Sequence, residues 1–404
     1  MIKAIITTLG ASLIIVSTGH CNQSALWGKD GELWKVNQPL KDFSFAGYRQ
    51  SEVSIPNIPK SVSIRDFGGH GDGKTDETQA LLKAIAACPI GGKVFLPAGD
   101  YLITDLIEIN KSVVIAGAGM DKTKLILPKY LVDLHPRPGK TTGGIPTPLW
   151  SWSGGFIEFN KTSEVGIEDL TFQFPETPYL GHFEEHGSNG VNFEECHDGW
   201  AQRLRFVNAD SGIFVSHSQH ITVREIEFAA YAGRSSLNHE GVIGHHAVDF
   251  MHDSSLCLGE EINFKNKFFH ELGIEHGAHA NVYSHCTGLD IVLDHHQLNV
   301  HGNLWTDIDV GKGIHIWANN SRGSTMDEVY WNIRSAKDIP YPPFKLKNIV
   351  VGITGRGGEM RGTNAPWAEV IAPAELEPQN IFQAQLAKRI GVAKANAVLG
   401  AMTP

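Results

Sequence analysis

Histidine is the residue type that points most directly to chemistry in this sequence, with 20 copies among 404 residues. The doublets His245-His246 and His295-His296, together with His279, form its densest group of titratable side chains. Neighbouring residues of a strand point to opposite faces, so one histidine of each doublet is expected outside and the other in the core. Because imidazole has an unperturbed pKa near neutrality, this group predicts proton transfer.

A second set of candidates is acidic. Asp307 and Asp309 are two residues apart on a predicted strand and are therefore expected on one face, as a carboxylate pair for hydrolysis requires. The alternative is that they bind turn amides or a cation. The sequence has no Cys-x-x-Cys pattern and assigns no metal site or cofactor, and a divalent cation such as calcium is the ion that carboxylates of this kind would hold.

The elements that must position these residues repeat along the chain. Residues 155–159, 190–193 and 212–215 are similar and lead, at one constant spacing, to Phe172, Phe206 and Phe228. Looser copies at 247–250 and 279–282 lead to Phe264 and Leu293. One such unit cannot bury its apolar face alone, so the units must stack. The sequence predicts an all-β fold, a right-handed single-stranded parallel β-helix.

Stacking brings equivalent outward side chains of neighbouring coils within about 5 Å of each other. The predicted outward row consists of Glu158, Asn192, Phe214, Asp249 and Asn281. The row two residues later consists of Asn160, Glu194, Ser216, Met251 and Tyr283. Polar groups with aromatic side chains among them suit the binding of a sugar chain along the stack.

Residues 64–78 (IRDFGGHGDGKTDET) and 94–101 (VFLPAGDY) resemble the opening of the pectate-lyase-like superfamily of right-handed parallel β-helices. The resemblance implies the fold and a carbohydrate substrate, but no single reaction, because the superfamily includes polysaccharide lyases, glycoside hydrolases, epimerases and phage tailspikes. Residues 68–75 also satisfy the phosphate-loop pattern. The absence of alternating strand and helix units after them argues against a nucleotide-binding enzyme.

Two classes of function follow from these patterns. The first is catalytic: a polysaccharide lyase acting on a uronic-acid polysaccharide by β-elimination, with a glycoside hydrolase as the enzymatic alternative. The candidate catalytic residues are His246, His279, Tyr283, His295 and His296. The candidate substrate-binding residues are Asn192, Arg234, Asp249, Asn281, Asp307 and Asp309. The second class is a non-catalytic carbohydrate-binding β-helix, against which the many imidazoles argue.

The predicted site lies on the central coils. His246, His279 and Asp249 are expected on one exposed face, with His295 or His296 beside them. This arrangement depends on the register, because a slip of one residue would turn every side chain to the other face.

The chain divides into four predicted segments. Residues 1–21 read as a signal peptide, which predicts a secreted or periplasmic protein, and His20 disfavours a lipid anchor at Cys21. Residues 22–60 form a leader packing on the solenoid, 61–360 the β-helix, and 361–404 a tail with a short helix. A helix at Thr78–Ala87 is expected to cap the N-terminal end of the solenoid, because an open end would expose strand edges.

Charge and hydropathy limit the partners. The net charge is −10 and only 19% of residues are charged, which excludes a basic nucleic-acid footprint. No stretch after the signal peptide reaches the ~18 apolar residues of a membrane span. A polysaccharide is the expected partner, and the sequence carries no signal for an oligomeric state.

Overall fold

The computed structural model describes residues 22–35, 38–139, 141–142, 145–239, 241–296, 298–317, 326–339, 347–355 and 367–400. The predicted signal peptide and Cys21 lie outside these ranges. Among the residues described, no helix combines the length and apolar character needed to cross a membrane.

Short strands make up most of the regular structure. In chain order the first are β1 (Lys60–Ser63), β2 (Asp72–Asp76), β3 (Gly92–Phe95), β4 (Gly99–Leu102), β5 (Ile107–Ile109), β6 (Val113–Ala116), β7 (Thr123–Ile126), β8 (Thr141–Thr142), β9 (Ile145–Pro146), β10 (Ile157–Asn160), β11 (Gly166–Gln173) and β12 (Asn189–Glu194). The later ones are β13 (His197–Val207), β14 (Ser211–Ser216), β15 (Gln219–Ala229), β16 (His246–Met251), β17 (Leu258–Phe264), β18 (His270–Glu275), β19 (Val282–Ser284), β20 (Thr287–Gly288), β21 (Leu293–His296), β22 (Leu304–Asp309), β23 (Val329–Arg334), β24 (Ile349–Ile353) and β25 (Trp367–Glu369).

Parallel pairing joins these strands into a solenoid. A 7-stranded sheet runs β5-β10-β12-β14-β16-β18-β21, and a 16-stranded sheet holds the others except the antiparallel pair β8–β9. The chain passes from one sheet to the other and back once per coil, so each strand pairs with its equivalent in the next coil. The prediction of a right-handed parallel β-helix is confirmed.

Inward side chains form ladders through the core. Phe172, Phe206, Phe228 and Phe264 pair in register on successive coils. Their rings stack at 4.9, 5.2 and 5.3 Å between centroids, close to the ~4.8 Å separation of paired strands. The constant spacing found in the sequence therefore joins equivalent positions of the two sheets within each coil.

The coils of the 16-stranded sheet bend at one corner row. Its members are Asp169, Arg203, Glu225, Glu261, Asp307 and Asn332, all with φ between 51° and 63°. Each interrupts the pairing register of its strand. Alternation of side chains between two faces does not continue across such a residue, because the backbone leaves the β conformation there.

Helices flank the solenoid. They are α1 (Thr78–Ala87), α2 (Leu131–Leu134), α3 (Ile381–Ile390) and α4 (Val392–Leu399). Short 3-10 turns lie at Tyr48–Ser51, Ile64–Phe67, Leu149–Ser151, Ala232–Arg234 and Pro373–Glu375. Helix α1 places Leu81, Ala84 and Ile85 in the core cluster of the first coils. The tail contains two helices, α3 and α4, where one short helix was predicted. More of the helical structure is therefore C-terminal than the sequence indicated.

The leader and the C-terminal helices share one apolar cluster on the outside of the 16-stranded sheet. Trp27 and Phe43 from the leader lie there with Phe382 of α3 and with Leu304 and Trp331 of the coils. The backbone N–H of Phe43 donates to the Gln385 side chain. The side-chain hydroxyl of Thr222 accepts from the backbone of Tyr48, farther along the leader. One outer surface of the solenoid is thus covered by segments from both ends of the described chain.

Candidate active site

One outward row of the 7-stranded sheet carries polar side chains on successive coils. One residue per coil, it runs through Glu158, Asn192, Phe214, Asp249, Gly273 and Asp294. The predicted order of the first four is confirmed. The fifth position is occupied by Gly273 instead of Asn281, so the predicted register is wrong from that coil onward.

Around Asp249 and Asp294 lies a group of side chains that we call the imidazole–carboxylate cluster. It consists of His182, Glu185, His245, His246, Asp249, His270, Glu275, Asp294 and His296. Strands β16, β18 and β21 supply all but three of these residues, and His245 directly precedes β16. His182 and Glu185 come from the connection between β11 and β12. Three neighbouring coils and one covering segment therefore build the site.

Short contacts link the imidazoles of the cluster to its carboxylates. The Nδ1 atom of His246 lies 3.0 Å from Asp249 Oδ2. The Nδ1 atoms of His270 and His296 lie 3.2 and 3.3 Å from Asp294 Oδ2. Although burial opposes its charge, the contact with Asp294 raises the pKa of His296 to about 9. The cluster thus contains one imidazolium–carboxylate pair, formed by His296 and Asp294, beside imidazoles that carry no charge.

Those other imidazoles are neutral. Burial, together with repulsion from neighbouring imidazoles, lowers the pKa of His182 and of His246 to about 3. Burial also lowers the pKa of His245 and His270. The Nε2 atoms of His245, His246 and His270 are buried without a hydrogen-bond partner. Such atoms cost about 1–3 kcal/mol each when left unsatisfied.

Two carboxylates face each other in the cluster. Asp249 and Glu275 interact directly, and burial with the neighbouring Glu275 charge raises the pKa of Asp249 well above its usual value. Burial opposes the charge of Glu275 too, but His276 and Asp249 hold its pKa well below the usual range. Two acceptor groups in contact require a proton between them, so the pair titrates as one unit.

Aromatic side chains cover the buried part of the cluster. The Trp152 ring lies 5.5 Å from the His245 ring, and Phe183 stacks on His182 at 3.8 Å. Phe269 stacks on the opposite side of His182 at 5.0 Å. This cover removes water from the imidazoles, which strengthens electrostatic interactions among them.

The cluster meets solvent along an imidazole row formed by His217, His252 and His276. Their rings lie 5.2 and 5.0 Å apart, because all three occupy the same corner of successive coils with φ between 48° and 50°. The Nδ1 atom of His276 lies 2.9 Å from Glu275 Oε2, which joins the row to the cluster. The His276 side chain is 27% exposed, and that of His217 is 50% exposed.

The structure divides the predicted catalytic residues. His246 and His296 lie in the cluster, whereas Tyr283 and His295 point into the core. The Tyr283 ring stacks on Phe250 at 4.8 Å and its hydroxyl donates to backbone carbonyls. His295 contacts the Tyr330 hydroxyl at 2.9 Å. The expected outward placement of Tyr283 is wrong, whereas the doublet divides as predicted, with His295 inward and His296 in the cluster.

His279 lies in the turn between β18 and β19. Its ring stacks on His301 of the next coil at 4.9 Å, and its Nδ1 atom contacts the Gly277 carbonyl. The predicted grouping with His246 and Asp249 on one sheet face is therefore wrong, because a turn residue does not share the sheet's alternation.

Asn281 belongs to a ladder of turn side chains. Its side-chain oxygen accepts from the Cys257 backbone, and its side-chain amide donates to the Ser254 carbonyl and to Asn303. The Asn281 side chain is fully buried. The predicted substrate contact is wrong for this residue, since these groups of its side chain are engaged in joining coils.

Replacing Asn281 with alanine is therefore expected to lower the free energy of unfolding by about 1–3 kcal/mol, because the Cys257 amide and the Ser254 carbonyl lose their partner. Urea denaturation followed by circular dichroism measures this change. A loss of substrate affinity with unchanged stability would instead show that Asn281 contacts the substrate, as the sequence predicted.

Asp307 and Asp309 do not act as a pair. Asp307 belongs to the corner row and contacts Arg334 at 2.5 Å and His285 at 2.7 Å. Asp309 accepts from the Gly311 backbone at 2.9 Å. The expectation of one shared face is wrong because the backbone bends at Asp307, and the alternative of a turn amide holds for Asp309.

Arg234 is buried beside the cluster with its charge already paired. It donates to Asp210 at 2.5 Å and to the Ile243 carbonyl at 2.8 Å, and its guanidinium lies over the Tyr179 ring. Asn192, in contrast, stays on the outward row with its side-chain oxygen unpartnered. Of these two predicted substrate-binding residues, the structure leaves Asn192 available.

Sequence reasoning missed several members of the cluster: His182, Glu185, His270, Glu275 and Asp294. The strand of the fifth coil was not recognised, because Gly273 stands where the pattern expects a polar side chain. The apolar alternation of Leu272 and Ile274 could have revealed this strand. His182 and Glu185 lie in a connection without periodicity, so no pattern indicates their position.

A family comparison agrees with this architecture. Residues 61–133 match the model described as rhamnogalacturonase A/epimerase, pectate lyase-like. The chain has a pectate-lyase-like β-helix. The matched residues cover the first coils and α1 but not the imidazole–carboxylate cluster, so the family match gives the fold and leaves the chemistry of the cluster open.

Two of the curated relatives of this chain are named as polysaccharide-modifying enzymes. Alginate lyase 7 of Azotobacter vinelandii is 38% identical over 182 residues, which are 40% of this chain and 19% of that protein. Mannuronan C5-epimerase AlgE6 of the same organism is 26% identical over 190 residues, 45% of this chain and 18% of that protein. The chain thus spans about a fifth of the length of these relatives.

Among solved structures, the family 28 exopolygalacturonase of Yersinia enterocolitica is 13% identical, with a TM-score of 0.47. The alignment covers 78% of this chain and 69% of that one. By name, the curated relatives include a lyase, a C5-epimerase and a probable rhamnogalacturonase.

Proposed function

We propose that the chain cleaves a uronic-acid-containing polysaccharide by β-elimination along the imidazole row. The observation that carries this proposal is the contact between Glu275 and His276 at the boundary between cluster and solvent. Glu275 is charged and buried, whereas part of the His276 ring is exposed. This is the arrangement of an imidazole base oriented by a carboxylate.

The tautomer of His276 follows from this contact. Its Nδ1 atom lies beside Glu275 and is the ring atom that carries the proton, which leaves the lone pair on Nε2. In the proposed step Nε2 takes the C5 proton of a uronate, the C5–H electrons form the C4–C5 double bond, and the bond from C4 to the glycosidic oxygen breaks. The leaving oxygen takes a proton from water, because burial lowers the pKa of His252, whose ring lies 5.0 Å away, and disfavours the charged form that a general acid needs.

The substrate class is supported by the relatives and by charge. Alginate lyase 7 and mannuronan C5-epimerase AlgE6 are named for uronate polymers. Lyases and C5-epimerases share removal of the C5 proton, so one base serves both. Along the row, the half-exposed His217 ring supplies an N–H group for the carboxylate of a neighbouring sugar.

Hydrolysis is the second candidate, because a carboxyl group with a raised pKa, Asp249, lies in the site. Hydrolases place two carboxyl groups on opposite sides of the glycosidic bond, about 5–9.5 Å apart. Asp249 is fully buried, and burial together with the charge of neighbouring Glu275 raises its pKa. A pair in direct contact has no room for a sugar between its members, which favours elimination.

The products distinguish these reactions. Incubation with alginate and polygalacturonate is expected to give new reducing ends together with the ultraviolet absorbance of an unsaturated sugar, and a neutral glucan is expected to stay intact. Reducing ends without that absorbance would show that the chain cleaves by hydrolysis and not by elimination. Binding to the polymer without any product would assign the chain to the carbohydrate-binding class. Export, which residues 1–21 predict, remains part of the proposal.

A further inference from the structure

Three imidazoles of the cluster converge away from the imidazole row. They are His182 of the covering segment, His245 before β16 and His270 of β18. One ring nitrogen of each lies within 4.8 Å of those of the other two. The Nε2 atoms of all three are buried and have no hydrogen-bond partner. Three unsatisfied nitrogens facing one another require an occupant or cost stability.

A carboxylate oxygen lies close to the Nδ1 atom of two of these rings. Glu185 Oε1 lies 3.1 Å from His245 Nδ1, and Asp294 Oδ2 lies 3.2 Å from His270 Nδ1. Each carboxylate selects the tautomer that carries its proton on Nδ1, so Nε2 keeps its lone pair. A carboxylate behind the imidazole is the arrangement that orients histidine ligands of metal ions and increases their basicity.

We propose that His182, His245 and His270 bind one divalent transition-metal ion of the zinc class through their Nε2 atoms. Three neutral imidazoles are a ligand set for zinc and similar late metals, whereas calcium and magnesium prefer oxygen ligands. Glu185 and Asp294 lie directly behind His245 and His270, so both carboxyl groups are close to the proposed cation.

A water molecule fits this place less well than a cation. Water donates two hydrogens and so leaves one of three facing lone pairs unsatisfied, while a metal ion accepts all three. The deep burial of His245 and His270 keeps both imidazoles neutral, which is the form that binds metals.

The ion would join separate parts of the fold. His182 lies in the segment that carries Phe183 and Glu185 over the cluster, whereas His245 and His270 belong to the coils. Metal binding therefore fastens the cover to the 7-stranded sheet. This role does not depend on the proposed cleavage reaction, since His276 and His252 are not among the ligands.

The test uses the full chain after treatment with a chelator, and Zn²⁺ alone as the probe. Calorimetric titration is expected to show one Zn²⁺ bound per chain, and Zn²⁺ is expected to raise the thermal unfolding midpoint by about 3 °C or more. Calcium at the same concentration is expected to give neither effect. Absence of stoichiometric Zn²⁺ binding would overturn the proposal.

Variants assign the ligands. His182→Ala changes the covering segment and leaves the coils intact, and it is expected to weaken Zn²⁺ binding at least about 100-fold. Glu185→Gln removes an orienting carboxylate and is expected to weaken binding about 10–100-fold. His301→Ala, which removes an imidazole from the separate stack with His279, is the control and is expected to bind as the unchanged chain does. Equal affinity in His182→Ala and in His301→Ala would contradict the assigned site.

Discussion

Replacing His276 with alanine is expected to lower kcat/KM for polyuronate cleavage by about 10²- to 10⁴-fold, the range for loss of a general base. The ring takes the C5 proton in the proposed step, and Glu275 fixes which nitrogen does so. Because His276 is partly exposed and lies at a corner of the coil, its loss leaves the core intact. Initial rates of ultraviolet absorbance on alginate or polygalacturonate measure the effect.

Two control measurements test whether a loss of activity comes from loss of the base and not from a change in the fold. His301→Ala removes an imidazole from a turn outside the imidazole row and is expected to keep its activity within about twofold, as surface substitutions usually do. Thermal unfolding of both variants checks that the fold is retained. Full activity in a folded His276→Ala variant would remove His276 from the mechanism and direct attention to His252.

The largest stability effect is expected at Arg234. Its replacement by alanine leaves the carboxylate of Asp210 buried without its partner, and removing one member of a buried ion pair costs about 3–5 kcal/mol. Both side chains are at most 4% exposed, so water cannot take the place of the guanidinium. Urea denaturation of Arg234→Ala and of the unchanged chain gives the difference in the free energy of unfolding.

The matched control is Lys124→Ala, whose ion pair with Asp100 is 3.9 Å long and exposed. Exposed pairs contribute about 0–1 kcal/mol, so this variant is expected to unfold nearly as the unchanged chain does. If Arg234→Ala kept its stability but bound polyuronate more weakly, the role of Arg234 at the substrate carboxylate, expected from the sequence, would be restored.

The fold was predictable because its physical basis is local and periodic. Phe172, Phe206 and Phe228 each follow a similar strand segment at one constant spacing, and each coil needs the next to bury its apolar side chains. Glu158, Asn192, Phe214 and Asp249 then follow from the same register. Their placement needed only the alternation of a strand and the similarity of the segments that carry them, because the coils themselves differ in length.

The candidate site was only partly predictable because it begins where that regularity ends. Gly273 occupies an outward position without a side chain, so the fifth coil was assigned to residues around Asn281. The error moved His279 and Asn281 from a turn to a sheet face. His246 and Asp249 were still placed together, because they precede the irregular coil.

Two further errors in predicting the site have causes that strand alternation cannot reveal. The corner residue Asp307 has a positive φ, which changes the direction of the strand and separates it from Asp309. His182 reaches the cluster from a long connection, where only the folded structure shows what it covers. A buried charge pair such as Arg234 with Asp210 is likewise a tertiary contact that neither sequence position reveals.

The leader that covers the 16-stranded sheet has a consequence for the order of folding. Its contacts are with residues far along the chain: Tyr48 with Thr222, Phe43 with Gln385, and Gln23 with Glu377. A ribosome makes the leader early, but its binding surface does not exist until the later coils and α3 have been synthesised. The first described segment to leave the ribosome is therefore among the last to dock, after the solenoid has grown coil by coil through local contacts.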